Sequence, residues 1–206
     1  MKGRALLLLF CGLLLSGCYI QSLNKFYTDD LKIELPRIEG EWISIIQMGD
    51  DVSSKKNISP WKFTKDKIET YDENNKYSEL EVVYFKIGDD LFMEFTAGRP
   101  SKSSGDVGNL FWSAGLTVTY SVCRITFIDD NLIIIPLNYK WFEDRMKEKK
   151  LDLNCVKTDS NCIFTAPAEK WISFLKKYGS DKDVFSESCK FVFKKPSDRP
   201  DTGAGK

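Results

Sequence analysis

The chain has 206 residues, 30 basic and 30 acidic side chains, six cysteines and no histidine. A hydrophobic share of 42% over that length is enough for one domain with a sizeable core. Balanced charge, with lysines interspersed by acidic neighbours, excludes a phosphate-tracking surface and so nucleic acid as a partner. Without histidine the chain lacks Ser-His-Asp and Cys-His arrangements, the usual neutral-pH general base and the commonest zinc ligand, so it reads as non-enzymatic with no cofactor and no metal.

In chain order, Lys2 and Arg4 precede an uncharged stretch at 5–15. Its 11 residues are too few to cross ~30 Å of hydrocarbon as a helix, so it reads as a cleaved signal. Leu15, Ser16, Gly17 and Cys18 close the stretch and resemble the lipobox of bacterial lipoproteins. That resemblance implies cleavage before Cys18, acylation of Cys18 and attachment to the cell envelope through lipid. Tyr19 stands where inner-membrane lipoproteins often carry Asp, which implies the outer membrane, facing the periplasm. Residues 18–37 then read as a tether.

Short runs rich in aromatic and β-branched side chains follow at 41–47, 61–64, 67–71, 80–87, 91–96, 116–128, 132–135, 162–165 and 189–193. Gly88, Asp89 and Asp90, and Asp129, Asp130 and Asn131, separate neighbouring runs as hairpin loops. Asp50 with Asp51, and the 72–75 stretch, read as turns also, so the paired aspartates are turn chemistry rather than metal ligands. Two helices interrupt the strands. The first spans 138–149, with Asn138 as N-cap and Trp141, Phe142 and Met146 as its apolar stripe. The second spans 167–178, where Trp171, Phe174, Leu175 and Tyr178 recur at helical spacing, Pro167 suits the first turn and Gly179 the C-cap. Segment 100–108 reads as a flexible loop and 194–206 as a disordered tail.

Cysteine usage agrees with an oxidising compartment. With Cys11 lost with the signal and Cys18 taken by lipid, Cys123, Cys155, Cys162 and Cys189 remain for two disulfides. Of three possible pairings, Cys155 with Cys162 and Cys123 with Cys189 are favoured. Spacings of 32, 7 and 27 residues do not supply the close pairs of a four-cysteine zinc site.

Gly40, Glu41 and Trp42 open the first strand of the domain at 38–193 and resemble the Gly-x-Trp signature of lipocalin and calycin barrels. The resemblance implies a mainly β fold, a single antiparallel lipocalin-like barrel with two short helices in its C-terminal half. It also implies that Trp42 plugs one end beneath a basic residue from a late strand, for which Arg124 is the candidate. Trp61, Tyr84, Phe92 and Phe111 are candidates to line a barrel mouth holding a small apolar or amphipathic ligand. The alternative is an accessory protein with a filled barrel, which meets another envelope protein through loop 98–115 or its aromatic helices. Glu41, Glu69, Glu79, Glu81 and Glu94 are formal candidates for paired carboxylate chemistry, with no spacing that joins any two.

Overall fold

The structure is a computed structural model and describes residues 20–45, 60–71, 77–97, 118–157, 162–185 and 190–196. Eight strands form a closed antiparallel barrel: β2 (Gly40–Ile45), β3 (Trp61–Phe63), β4 (Lys67–Tyr71), β5 (Tyr77–Ile87), β6 (Asp90–Ala97), β7 (Ser121–Ile128), β8 (Asn131–Pro136) and β11 (Phe191–Lys194). Strands β2 to β8 follow one another around the wall, and β11 closes it by pairing with both β8 and β2. The mainly β, lipocalin-like barrel expected from the sequence is therefore present. Two-residue loops join β5 to β6 and β7 to β8. They turn at Gly88 and Asp129, whose φ values of 59° and 53° lie in the left-handed region that Gly and Asp tolerate.

Barrel strands alternate between two cores. Leu80, Val82 and Tyr84 of β5 face inward with Met93 of β6, Cys123 and Ile125 of β7 and Leu132 and Ile134 of β8. The intervening Phe85, Ile87, Phe92, Val122, Ile133 and Ile135 are equally apolar, because the outer face of β5 to β8 is covered too. Its cover includes α1 (Tyr139–Lys147) and α2 (Ala168–Tyr178), the two helices expected. Asn138 caps α1 by accepting from the N–H groups of Lys140 and Trp141. Trp171, Phe174 and Leu175 bury the apolar stripe of α2.

A second sheet was not foreseen. It consists of β1 (Gln21–Ser22), β9 (Cys155–Lys157) and β10 (Cys162–Phe164) in the order β1-β10-β9, so the run at 162–165 belongs here and not to the barrel. Strands β1 and β9, of two and three residues, carry too little periodicity to be read from sequence, and a run such as 162–165 does not by itself tell which sheet it joins. The supposed tether is likewise docked: Ile20, Phe26 and Tyr27 are buried, and Ile33 donates its N–H to the Tyr84 carbonyl. Its apolar residues are scattered among charged ones, and their burial depends on the outer barrel face, which no local pattern reveals.

Candidate functional site

The barrel interior is the first place to seek a ligand site, and its described positions carry large side chains. Trp61, Phe63 and Phe193 form a triangle of rings with centroids 5.5 to 6.5 Å apart. Tyr84 belongs to the same cluster and donates its hydroxyl to the Thr64 carbonyl at 3.3 Å. Of the four candidate lining residues, Trp61 and Tyr84 are thus brought together inside. Phe92 is not: it points out of the barrel and packs on Phe85 and Phe185, with centroids at 5.4 and 5.8 Å. One-residue alternation decides this, since Met93 takes the inward position at that level. Phe111 lies outside the described residues.

Trp42 is 2% exposed and donates its indole N–H to the Ile38 carbonyl at 2.6 Å, closing one part of the interior beside the docked N-terminal segment. Gly40, at the strand entrance, has a φ of 119° that an L side chain rarely adopts. The cation over Trp42 is Lys195, with its Nζ 5.3 Å from the ring, and not Arg124. Arg124 is an outward residue of β7. It stands over Phe185 at 5.4 Å and donates to the Gly179 carbonyl at 3.0 Å, tying the end of α2 to the barrel. Lys195 follows directly on the strand that pairs with β2, so its proximity to Trp42 comes from barrel closure.

A groove of about 550 Å³ opens on β6, β7 and β8 near the turns at 88–89 and 129–130. Arg37, Arg124 and Lys190 line it together with Asp89, Asp90 and apolar Ile133 and Ile135. Several of its charges are already engaged. Arg37 donates to the Asp129 carbonyl at 2.9 Å, and Asp90 accepts the Ser180 hydroxyl at 2.7 Å.

Three carboxylates become notable only in three dimensions. Glu94, 3% exposed on the outer face of β6, accepts the Phe26 N–H at 2.7 Å. Burial pushes its carboxyl up to about 7, against the opposing pull of the Phe26 N–H and of Lys25 and Lys32. Glu69 and Glu79 are register partners on β4 and β5, and the Tyr77 hydroxyl lies within hydrogen-bonding distance of both, 2.8 Å from Glu69. Lys67 donates to Glu79 at 2.8 Å, which provides a countercharge for a carboxylate only 1% exposed. Glu81 and Glu94 are not register partners: Glu81 pairs with Thr96 and Glu94 with Val83. Glu41 is exposed and pairs with Lys62 across β2 and β3.

Cys155 and Cys162 form the expected disulfide, with Cα atoms 5.8 Å apart. Cys123 is a free thiol enclosed by the interior cluster, a departure from the expected bridge to Cys189, and burial pushes its pKa up. Cys189, the acylation candidate Cys18 and loop 98–115 lie outside the described residues. Among the described residues no group of three or more His, Cys, Asp or Glu side chains is placed to hold a metal ion.

No protein-family model, no curated protein and no solved structure matches the chain. Likeness to lipocalins therefore rests on the eight-stranded antiparallel barrel and on Gly40 and Trp42 within it.

Proposed function

We propose that the mature protein is a lipid-anchored, non-enzymatic envelope protein that acts through its outer surface on another envelope protein, with a filled barrel as a rigid support. The observation that carries this reading is the size of the inward side chains. Trp42, Trp61, Phe63, Tyr84, Met93 and Phe193 occupy an eight-stranded barrel, whose bore is just wide enough to be filled by side chains or to hold one small ligand. Aromatic residues at these positions favour the accessory-protein reading over the ligand carrier. The aromatic faces of α1 and α2 are spent on the outer core, which leaves loops and the barrel ends for contact. The address rests on the residues before Cys18, and acylation there would hold the protein at a membrane far more firmly than one myristoyl chain could.

Native mass spectrometry of the Cys18→Ser mature domain, purified from periplasm and compared with the denatured mass, tests the filled barrel. The expected result is one mass that denaturation leaves unchanged apart from charge state. A reproducible added mass that denaturation removes would overturn it in favour of a ligand carrier.

A further inference from the structure

The small sheet sits at the start of the described residues, with β1 three residues after Cys18 and Ile20 two residues after it. Ile20 is 4% exposed, and Ser22 is pinned from several sides. Its N–H donates to the Tyr120 carbonyl at 2.9 Å, its hydroxyl accepts the Trp171 indole N–H at 3.1 Å, and the next N–H, of Leu23, donates to the Phe164 carbonyl at 2.9 Å. The chain can travel only about 7 Å between Cα atoms two residues apart. The Cα atom of Cys18 is therefore within about 7 Å of that of Ile20, so whatever is attached to Cys18 starts close to this sheet.

The face that the sheet turns outward is mostly apolar, with Gln21 its one polar side chain. Gln21, Ile163 and Val156 are register partners across β1, β10 and β9 and so share one face, as does Leu23 two residues along the chain. Ser22 and Phe164 take the opposite face, where Phe164 packs on Trp171 with centroids 5.3 Å apart. Six large hydrophobic residues are exposed among the described residues, and three of them, Leu23, Val118 and Val156, belong to this corner. Val156 and Val118 are each 58% exposed, and Val118 lies two residues before Tyr120, the bridge partner of Ser22. Exposed Lys25 follows two residues after Leu23, with its Nζ 5.5 Å from the centre of the Tyr27 ring.

We propose that this face, formed by Gln21, Leu23, Ile163 and Val156 with Lys25 at its border, lies on the lipid leaflet that holds the acyl chains of Cys18. The inference rests on the lipoprotein reading above and adds an orientation to it. A patch this small would bind a bilayer only weakly by itself. Next to an acylated residue it works at the high effective concentration of a short linker, so modest apolar burial and attraction of Lys25 to anionic headgroups suffice. The turns at 88–89 and 129–130, with the groove beside them, lie at the other end of β7, about 20 Å away. They are thereby turned away from the leaflet and toward any partner.

The test uses the acylated mature protein in vesicles of phosphatidylethanolamine and phosphatidylglycerol that contain a doxyl-labelled quencher lipid. An environment-sensitive fluorescent amino acid replaces Val156 in one preparation and Asp130, at the far turn, in another. Quenching is expected to be several-fold stronger at 156 than at 130, and Leu23→Glu is expected to reduce it at 156. Equal quenching at the two positions, with the intact mass confirming acylation, overturns the orientation and leaves the lipoprotein reading standing. An intact mass without acyl chains overturns both.

Discussion

Glu94 and Phe26 are 68 residues apart in sequence, and the carboxylate of one accepts the backbone N–H of the other at 2.7 Å inside the outer core. The bond helps hold the N-terminal segment to β6, and Phe26 packs on Trp171 behind it, with ring centroids 4.4 Å apart and planes tilted by 49°. Burial raises the Glu94 carboxyl from 4.5 to about 7, so the folded protein binds this proton more tightly than the unfolded chain does. Stability from this group is present below about pH 4.5 and is lost as pH rises through 7, a span on the order of 3 kcal/mol. Glu94→Gln keeps an acceptor for the Phe26 N–H and removes the charge. Urea unfolding at about pH 5 and pH 8 should show the native chain losing stability relative to this variant as pH rises. Parallel pH profiles would refute the account.

Trp42 and Lys195 make unequal contributions. Trp42→Ala empties a buried site and leaves the Ile38 carbonyl without its indole donor, for a loss of about 3–5 kcal/mol. Lys195→Ala removes an exposed cation from above the ring and should lower stability by at most about 1 kcal/mol. Denaturant midpoints for the two variants, read with unchanged m-values, check this order.

Gly179 has a φ of −57°, which any residue can adopt, so backbone freedom does not account for glycine there. Space does: an added Cβ would meet a Phe92 ring carbon at 2.9 Å and the Leu175 carbonyl oxygen at 2.6 Å. Gly179→Ala is therefore expected to destabilise by about 1–3 kcal/mol through overpacking, where propensity alone would favour Ala. Thermal unfolding of the variant gives the sign directly.

The Cys155–Cys162 bridge closes a loop across β9 and β10, and its loss should lower stability by about 2 kcal/mol from loop entropy. The paired variant Cys155→Ser with Cys162→Ser is expected to unfold at lower denaturant with the barrel intact. Loss of the near-ultraviolet signal of Trp42 and Trp61 under native conditions would contradict that separation.

Much of the barrel was legible because its strands are long enough to show themselves and their loops have characteristic residues. Strand β4 ends where the alternation of 67–71 ends, and Gly88 and Asp129 mark the turns that their backbone conformations need. Both helices were legible from the spacing of Trp141 and Phe142, of Trp171, Phe174 and Leu175, and from the cap at Asn138. Less of the site was legible. Lys195 had a partial signal, since the Gly-x-Trp likeness implies a basic residue from a late strand, and Lys195 directly follows β11. Arg124 drew attention instead because it interrupts an apolar run, yet the outward side of β7 is itself covered, so a charge there tells nothing about the barrel interior.

By itself the sequence determined the β class, the hairpin turns, the two helices and the absence of histidine, because each depends on residue type or on spacing within one segment. Only the tertiary structure decided that Phe92 faces outward, that Lys195 reaches Trp42, that Glu94 is buried on Phe26 and that the supposed tether is part of the domain. Those facts depend on strand register and barrel closure. Register inverts with a shift of one residue, and closure joins segments more than a hundred positions apart.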